Sequence, residues 1–335
     1  MKTKTKKELA LLLLVAIALS AFVTFASALT IPKRMDYGST WGRYLREEKD
    51  SIDALFFGSS ISYCDVIPAQ IWDSAGISSY VMSGPEQTIP ISYYYIKESC
   101  KTQSPKVIFL ELTGMFFKRY QDYTKVNIGY MPQGINRFCA SIFAAEKSEQ
   151  TGLFFPLYNY HSRWSTLEPS DFGVVLNGYP QDDLAGYTFL DTAAPIDEIS
   201  LRDEVRDKEN YDRNLEYLGK ISEFCESEGI LPVFYIAPTC WRLSAESLAM
   251  LEADLAKLPN VRYYDFNRQA GVPAFDSQTD WYDELHFNYR GAEKFSEYLG
   301  ELLTNELGIE KTANADRELW DNRSAKLHEL TQKAE

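Results

Sequence analysis

Ser60, in "DALFFGSSISYC", and the pair Asp283 and His286, in "DWYDELHFNYRGAEKF", are the residue types that perform nucleophilic acyl chemistry. A serine hydroxyl is a weak nucleophile until a neighbouring base takes its proton. A neutral histidine acts as that base when a carboxylate fixes its other ring nitrogen. The spacing of three between Asp283 and His286 lets the carboxylate reach the imidazole within one turn. Plainer roles compete with this one. Ser60 suits a helix cap, Ser59 is an alternative hydroxyl, and Asp283 and His286 could cap the helix that begins in "HFNYRGAEKF".

For the three residues to meet, the elements before them must end at one edge of the fold. Short apolar runs recur at "DALFFG", "SSYVMS" (78–83), "KVIFLEL" (106–112), "LPVFYIAP" (231–238) and "VRYYDF" (261–266). Between and after them lie helix candidates at 67–75, 88–103, 200–228, 244–258 and 289–307. Alternating strand and helix predicts an α/β three-layer sandwich with a parallel, flavodoxin-like five-stranded sheet, its strands apolar because both faces are covered. In such sheets ligands bind at the carboxyl ends of the strands. Ser60 follows the first strand there and the Asp283/His286 loop follows the fifth.

The segment 117–199 breaks the alternation and is rich in Tyr, Phe, Pro and Gly. It is too long for a plain loop and is expected to form a cap-like insertion within an α/β domain spanning 30–310. The charged tail 311–335 reads as a solvated helix resting on the body, with Trp320 its only aromatic residue and His328 an ordinary surface residue.

Residues 1–29 read as a signal anchor or signal peptide. Lys2, Lys4, Lys6 and Lys7 precede an uncharged run from Leu9 to Leu29, which would span roughly 30 Å as a helix. An uncleaved anchor with an extracytoplasmic body is the favoured reading; cleavage after Ala28, in Ala26-Ser27-Ala28, would give a secreted form. The net charge is -14, and removing residues 1–28, which carry a net +3, takes it to -17. A body this acidic repels a phosphate backbone, so nucleic acid is not an expected partner. The five cysteines, Cys64, Cys100, Cys139, Cys225 and Cys240, lack CxxC spacing and read as small buried side chains. Three histidines without cysteine partners give no metal site, and without a Gly-rich phosphate loop no cofactor is expected.

At these residues the chain resembles the SGNH/GDSL hydrolase superfamily. Gly58-Ser59-Ser60 matches the first block, with serine as nucleophile, and Asp283-Glu284-Leu285-His286 matches the last, D-x-x-H. Gly84, in "VMSGPEQT", matches the second-block glycine. The resemblance implies an oxyanion hole built from the Ser60 and Gly84 amides. Where the third block has G-x-N-D, this chain has "LELTGMFF", so the Asn donor is absent, and Thr113 or the Gly114 amide is the candidate replacement. That departure points towards the membrane-anchored branch resembling the teichoic-acid D-alanylation protein, whose members work beside membrane-bound O-acyltransferases. "FPLYNYHSRWSTL" (155–167) looks like a mark of that subgroup.

The resemblance implies a serine esterase or O-acyltransferase acting on acylated cell-envelope glycans or polymers. A non-catalytic binding or assembly module is the alternative. His161, Arg163 and Trp164 are candidate substrate contacts, with Arg163 suited to an anion and Trp164 to a sugar face; knitting the insertion to the sheet is the other role open to them. Glu86, Gln87 and Thr113 are further candidates near the site, turn packing being the other role for Glu86 and Gln87; Trp241 and Trp281 could wall a pocket, but core or rim packing is the favoured reading.

Overall fold

A computed structural model describes residues 2–35, 37–38, 40–196, 200–202 and 207–335. The chain divides into two compact units. The smaller comprises Met1–Arg34 with Glu146–Pro180, and the larger Met35–Ala145 with Gln181–Glu335.

The larger unit is built on a five-stranded parallel sheet, β1 (Ala54–Phe57), β2 (Ser79–Val81), β3 (Val107–Glu111), β5 (Leu231–Ile236) and β7 (Arg262–Asp265), in the order β2-β1-β3-β5-β7. Each expected apolar run supplies one strand. Every residue of β1, β2 and β3 is buried, which is why these runs are apolar without alternation. Phe56 of β1 stacks on Phe109 of β3 at 4.7 Å, filling the sheet's centre. Two helix groups flank the sheet: Ser60–Asp65, Pro68–Ala75, Tyr289–Glu301 and Arg317–Ala334 pack together, as do Ile89–Ser99, Ile135–Phe143 and Lys208–Glu228. The result is the expected three-layer α/β arrangement. The chain runs outward from β1 to β2 and returns to β3 on the other side. The crevice at the end of β1 is therefore the switch point where such sheets bind ligands.

Two expectations need correction. The sequence pattern predicts one helix over 200–228, but Ser200–Arg202 is a strand, β4, paired parallel with β6 (Trp241–Leu243), and the helix starts at Lys208 with Asp207 as its cap. Strand pairing with β6, a non-local contact, overrides the local helical pattern. The tail is also more than a solvated helix. Arg317–Ala334 buries Trp320, Arg323 and Leu327, Trp320 stacks on Trp72 at 5.5 Å, and Ser324 donates to Asp73 at 2.6 Å. The Arg323 guanidinium is itself buried, donating to Glu47 and to the Asp182 carbonyl and lying over the Trp320 ring. His328 is exposed.

The insertion is helical. Thr124–Gly129 and Ile135–Phe143 belong to the larger unit. In the smaller unit, Lys147–Phe154, Pro156–Tyr160, a 3-10 turn His161–Thr166 and Pro169–Asn177 accompany the helix Lys2–Thr30. Within that helix, Thr5–Thr30 is long and apolar enough to cross a membrane.

Candidate functional site

Between the end of β1 and the next helix, the chain turns on Gly58, whose φ is +150°. A Cβ there would lie 2.5 Å from Ser62 Oγ and 2.7 Å from Glu111 Cβ, so only glycine fits the turn. Ser59 then caps the helix Ser60–Asp65: its side chain is buried and accepts the Ile61 amide. The cap role therefore falls to Ser59, leaving the partly exposed Ser60 hydroxyl available to donate to His286 Nε2 at 2.8 Å.

Residues 281–287 form a tight turn closed by an antiparallel bridge between Trp281 and Phe287. The Tyr282 amide donates to the His286 carbonyl at 2.9 Å, and Asp283 Oδ1 accepts the Leu285 and His286 amides at 2.8 and 2.9 Å. The same carboxylate lies 2.9 Å from His286 Nδ1 through both oxygens. Two acceptors at that distance call for a proton on Nδ1, which leaves Nε2 as an acceptor facing Ser60. Capping of the helix Tyr289–Glu301 belongs to Asn288, whose side chain accepts the Arg290 and Gly291 amides. Burial works to raise the Asp283 carboxyl, but the bond to His286 and the two amides outweigh it and hold its pKa below the ordinary value.

Two buried carboxyls brace this arrangement, and no motif pointed to either. Asp65, at the far end of the helix begun by Ser60, accepts the Phe287 amide at 2.9 Å. Burial pushes its pKa well up. Glu111, at the end of β3, is fully buried. It accepts both the amide and the hydroxyl of Thr113, at 2.8 and 2.5 Å, and Ser59 Oγ at 3.4 Å. Burial raises Glu111 to about 7 against these bonds. Both Thr113 donors are thereby spent on Glu111.

Gly84 lies beside the C-terminal end of β2. A Cβ on it would sit 2.2 Å from Asn127 Oδ1, because the buried Asn127 side chain, held by the Pro85 carbonyl at 2.9 Å, lies directly against it. Among the described residues, neither the Ser60 nor the Gly84 amide donates to a protein acceptor. Gln87 is turned inward, donating to Ser92 at 3.0 Å, and Glu86 takes a left-handed backbone with φ +47°.

A cavity of about 480 Å³ opens at the ends of β3, β5 and β7, walled by Phe116, Ile236, Trp241 and Leu248, with Arg242 and Asn267 among its polar groups. Ser60, Gly84 and His286 are not part of its lining; its tie to the 281–287 turn is the Cys240 amide, next to lining residue Thr239, which donates to the Glu284 carbonyl at 2.9 Å. Trp281 instead packs on Phe275 and Phe287 in the core. His161, Arg163 and Trp164 belong to the smaller unit, where Arg163 is bonded to Asp171 at 3.1 Å and to the Thr30 carbonyl at 2.9 Å. That ion pair occupies the anion-binding fork assigned to Arg163.

The cysteines are free. Burial pushes the Cys100 and Cys225 thiols to about 12 and the Cys240 thiol to about 11, the range of unreactive buried thiols. Among the described residues, no cluster of three or more His, Cys, Asp or Glu side chains is placed to hold a metal ion.

No protein-family model and no curated protein sequence matches this chain. One solved structure with some similarity is that of a "putative acylhydrolase" from Bacteroides fragilis, 11% identical, covering 82% of this chain and 99% of that one, with a TM-score of 0.40. The fold assignment rests on the sheet's own strand order.

Proposed function

We propose that this protein is a membrane-tethered, extracytoplasmic serine esterase or O-acyltransferase of SGNH type, acting on acylated cell-envelope glycans or polymers. The observation that carries the reading is the continuous chain from Ser60 Oγ through His286 Nε2 and Nδ1 to Asp283, at 2.8 and 2.9 Å. Ser60 attacks the ester carbonyl as His286 Nε2 takes its proton. Asp283 stabilises the imidazolium, and the Ser60 and Gly84 amides receive the developing oxyanion. Collapse of the tetrahedral species expels the alcohol, which leaves with the proton from His286. Water or an acceptor hydroxyl then attacks the acyl-Ser60 ester, with His286 again as base. Transfer between polymers would suit work beside a membrane-bound O-acyltransferase. The cavity next to Thr239 is the space we assign to the substrate.

The tether is supported by Ala26, Leu29 and Thr30, which are helical and buried around the A-x-A sequence, where a signal peptidase needs extended, accessible backbone. Treating the detergent-solubilised full chain with a fluorophosphonate, and mapping the adduct by mass spectrometry, tests the chemistry. An adduct on Ser60 that disappears in His286→Ala is expected; a folded wild-type chain that stays unlabelled sinks the proposal. One observation favours a second reading. With both Thr113 donors committed to Glu111, the oxyanion hole has only backbone donors, which suits a binding module that has kept the fold. Retention of an acylated polymer by both wild type and Ser60→Ala, without a covalent intermediate, would select it.

A further inference from the structure

The smaller unit ends its long apolar helix inside a ring of its own short segments. Pro156–Tyr160, His161–Thr166 and Pro169–Asn177 pack around the last turns of Lys2–Thr30, where Ala26, Leu29 and Thr30 are at most 3% exposed. The same stretch leaves large apolar side chains in the open: Phe155 is 65% exposed, Tyr158 67%, Trp164 48%, Phe172 42% and Leu176 72%. Phe172 and Leu176 are four apart in one helix and share a face. A water-facing surface of a chain with 48 acidic residues in 335 would be expected to carry carboxylates, yet none occurs between Glu149 and Glu168. Two carboxylates lie within 155–176: Glu168, exposed at the start of the helix Pro169–Asn177, and Asp171, buried and paired with Arg163 and, at 3.9 Å, with Lys33.

The cations sit where the apolar helix stops. Lys33 Nζ donates to the Ala28 and Ile31 carbonyls at 2.6 and 2.5 Å, and Arg163 donates to the Thr30 carbonyl. Exposed aromatics at the end of an apolar span are what a bilayer interface selects, because ring bodies prefer the acyl boundary while their polar edges remain with the headgroups. The segments pack on the last turns of the span and therefore share its exit depth.

We propose that residues 155–176 form a membrane-surface collar, inserting Phe155, Tyr158, Trp164, Phe172 and Leu176 into the headgroup–acyl boundary around the exit of the helix Lys2–Thr30. The collar rests on the reading of that helix as a membrane span. It makes the smaller unit a fixed mount at the lipid surface, with the apolar lipid boundary as its ligand.

The test uses the full chain reconstituted in phosphatidylcholine vesicles whose acyl chains carry bromine either close to the headgroup or close to the chain end. The Trp164 signal is the difference in emission between wild type and Trp164→Phe, an exchange at a half-exposed position. Quenching of that signal several-fold stronger by shallow than by deep bromine is the expected result. Equal emission in brominated and plain vesicles overturns the collar. Alkaline carbonate washing of the same vesicles separates the two claims. A chain that stays with the lipid while Trp164 goes unquenched leaves the span standing and removes the collar; a chain that washes off removes both.

Discussion

Asp65 Oδ1 accepts the amide proton of Phe287 at 2.9 Å, tying the last residue of the helix that begins at Ser60 to the residue that follows His286. The two ends of the candidate triad are thus joined a second time, through a fully buried carboxyl rather than through the reacting atoms. Asp65→Ala leaves the Phe287 amide buried without an acceptor, at a cost of about 1–3 kcal/mol. Burial already holds the Asp65 pKa well above the ordinary carboxylate value, so an amide, neutral at every pH, is a close replacement. Denaturant unfolding and the rate of fluorophosphonate capture at Ser60 should both fall in Asp65→Ala and both recover in Asp65→Asn. Unchanged capture in the alanine variant would show that the turn holds His286 without this brace.

Gly58 gives a sharper test of the nucleophile turn. Its φ of +150° and the 2.7 Å approach of a Cβ to Glu111 Cβ combine backbone strain with a clash near the sheet, where neither side can swing away. Gly58→Ala should lower stability by about 1–3 kcal/mol from the backbone conformation alone. Capture at Ser60 should fall further than stability does, since the displaced turn carries the Ser60 amide and hydroxyl together. Thermal melting and labelling on the same preparation separate the two effects; a variant that melts lower but labels at the wild-type rate would contradict the positional argument.

The tail helix is predicted to be part of the larger unit's core. Trp320 is 1% exposed, stacked on Trp72 and covered by the Arg323 guanidinium. Trp320→Ala should cost about 3–5 kcal/mol, the usual range for emptying a buried aromatic site. Urea unfolding monitored by circular dichroism measures it, and a loss under about 1 kcal/mol would mean that the helix rides on the surface.

The sheet was legible because its strands are buried on both faces, so that "DALFFG" and "KVIFLEL" announce themselves by apolar content alone. The Asp283–His286 contact was legible for a similar local reason: the D-x-x-H spacing closes one turn. What remained hidden depends on contacts between distant segments. Asp65 and Glu111 read as ordinary acidic residues until the fold buries them, and β4 forms only because Trp241–Leu243 pairs with it. The tail did carry a signal, since Trp320, Ser324 and Leu327 follow helical spacing on one face. Its surrounding charge masked that stripe, and a buried arginine that donates to Glu47 and the Asp182 carbonyl cannot be read from composition. Arg163 shows the reverse case, an inviting residue type whose charge is already spent on Asp171.

Glu111 should make stability pH-dependent in a way one substitution can isolate. In the unfolded chain its carboxyl titrates near 4.5, whereas burial in the fold raises it to about 7. Between those values the folded state keeps a proton that the unfolded state has lost. Its contribution is therefore fully present only below about 4.5 and is lost as pH rises through about 7. A difference of this size corresponds to at most about 3 kcal/mol. In Glu111→Gln the side-chain amide would still accept the two Thr113 donors and would offer an N–H to Ser59, but it does not titrate. The stability of Glu111→Gln relative to wild type should therefore climb by up to about 3 kcal/mol between mildly acidic and mildly alkaline solution, as read from urea midpoints across that range. A difference independent of pH would mean that Glu111 ionises at its ordinary value, with the Thr113 and Ser59 hydrogen bonds sufficient to solvate its charge.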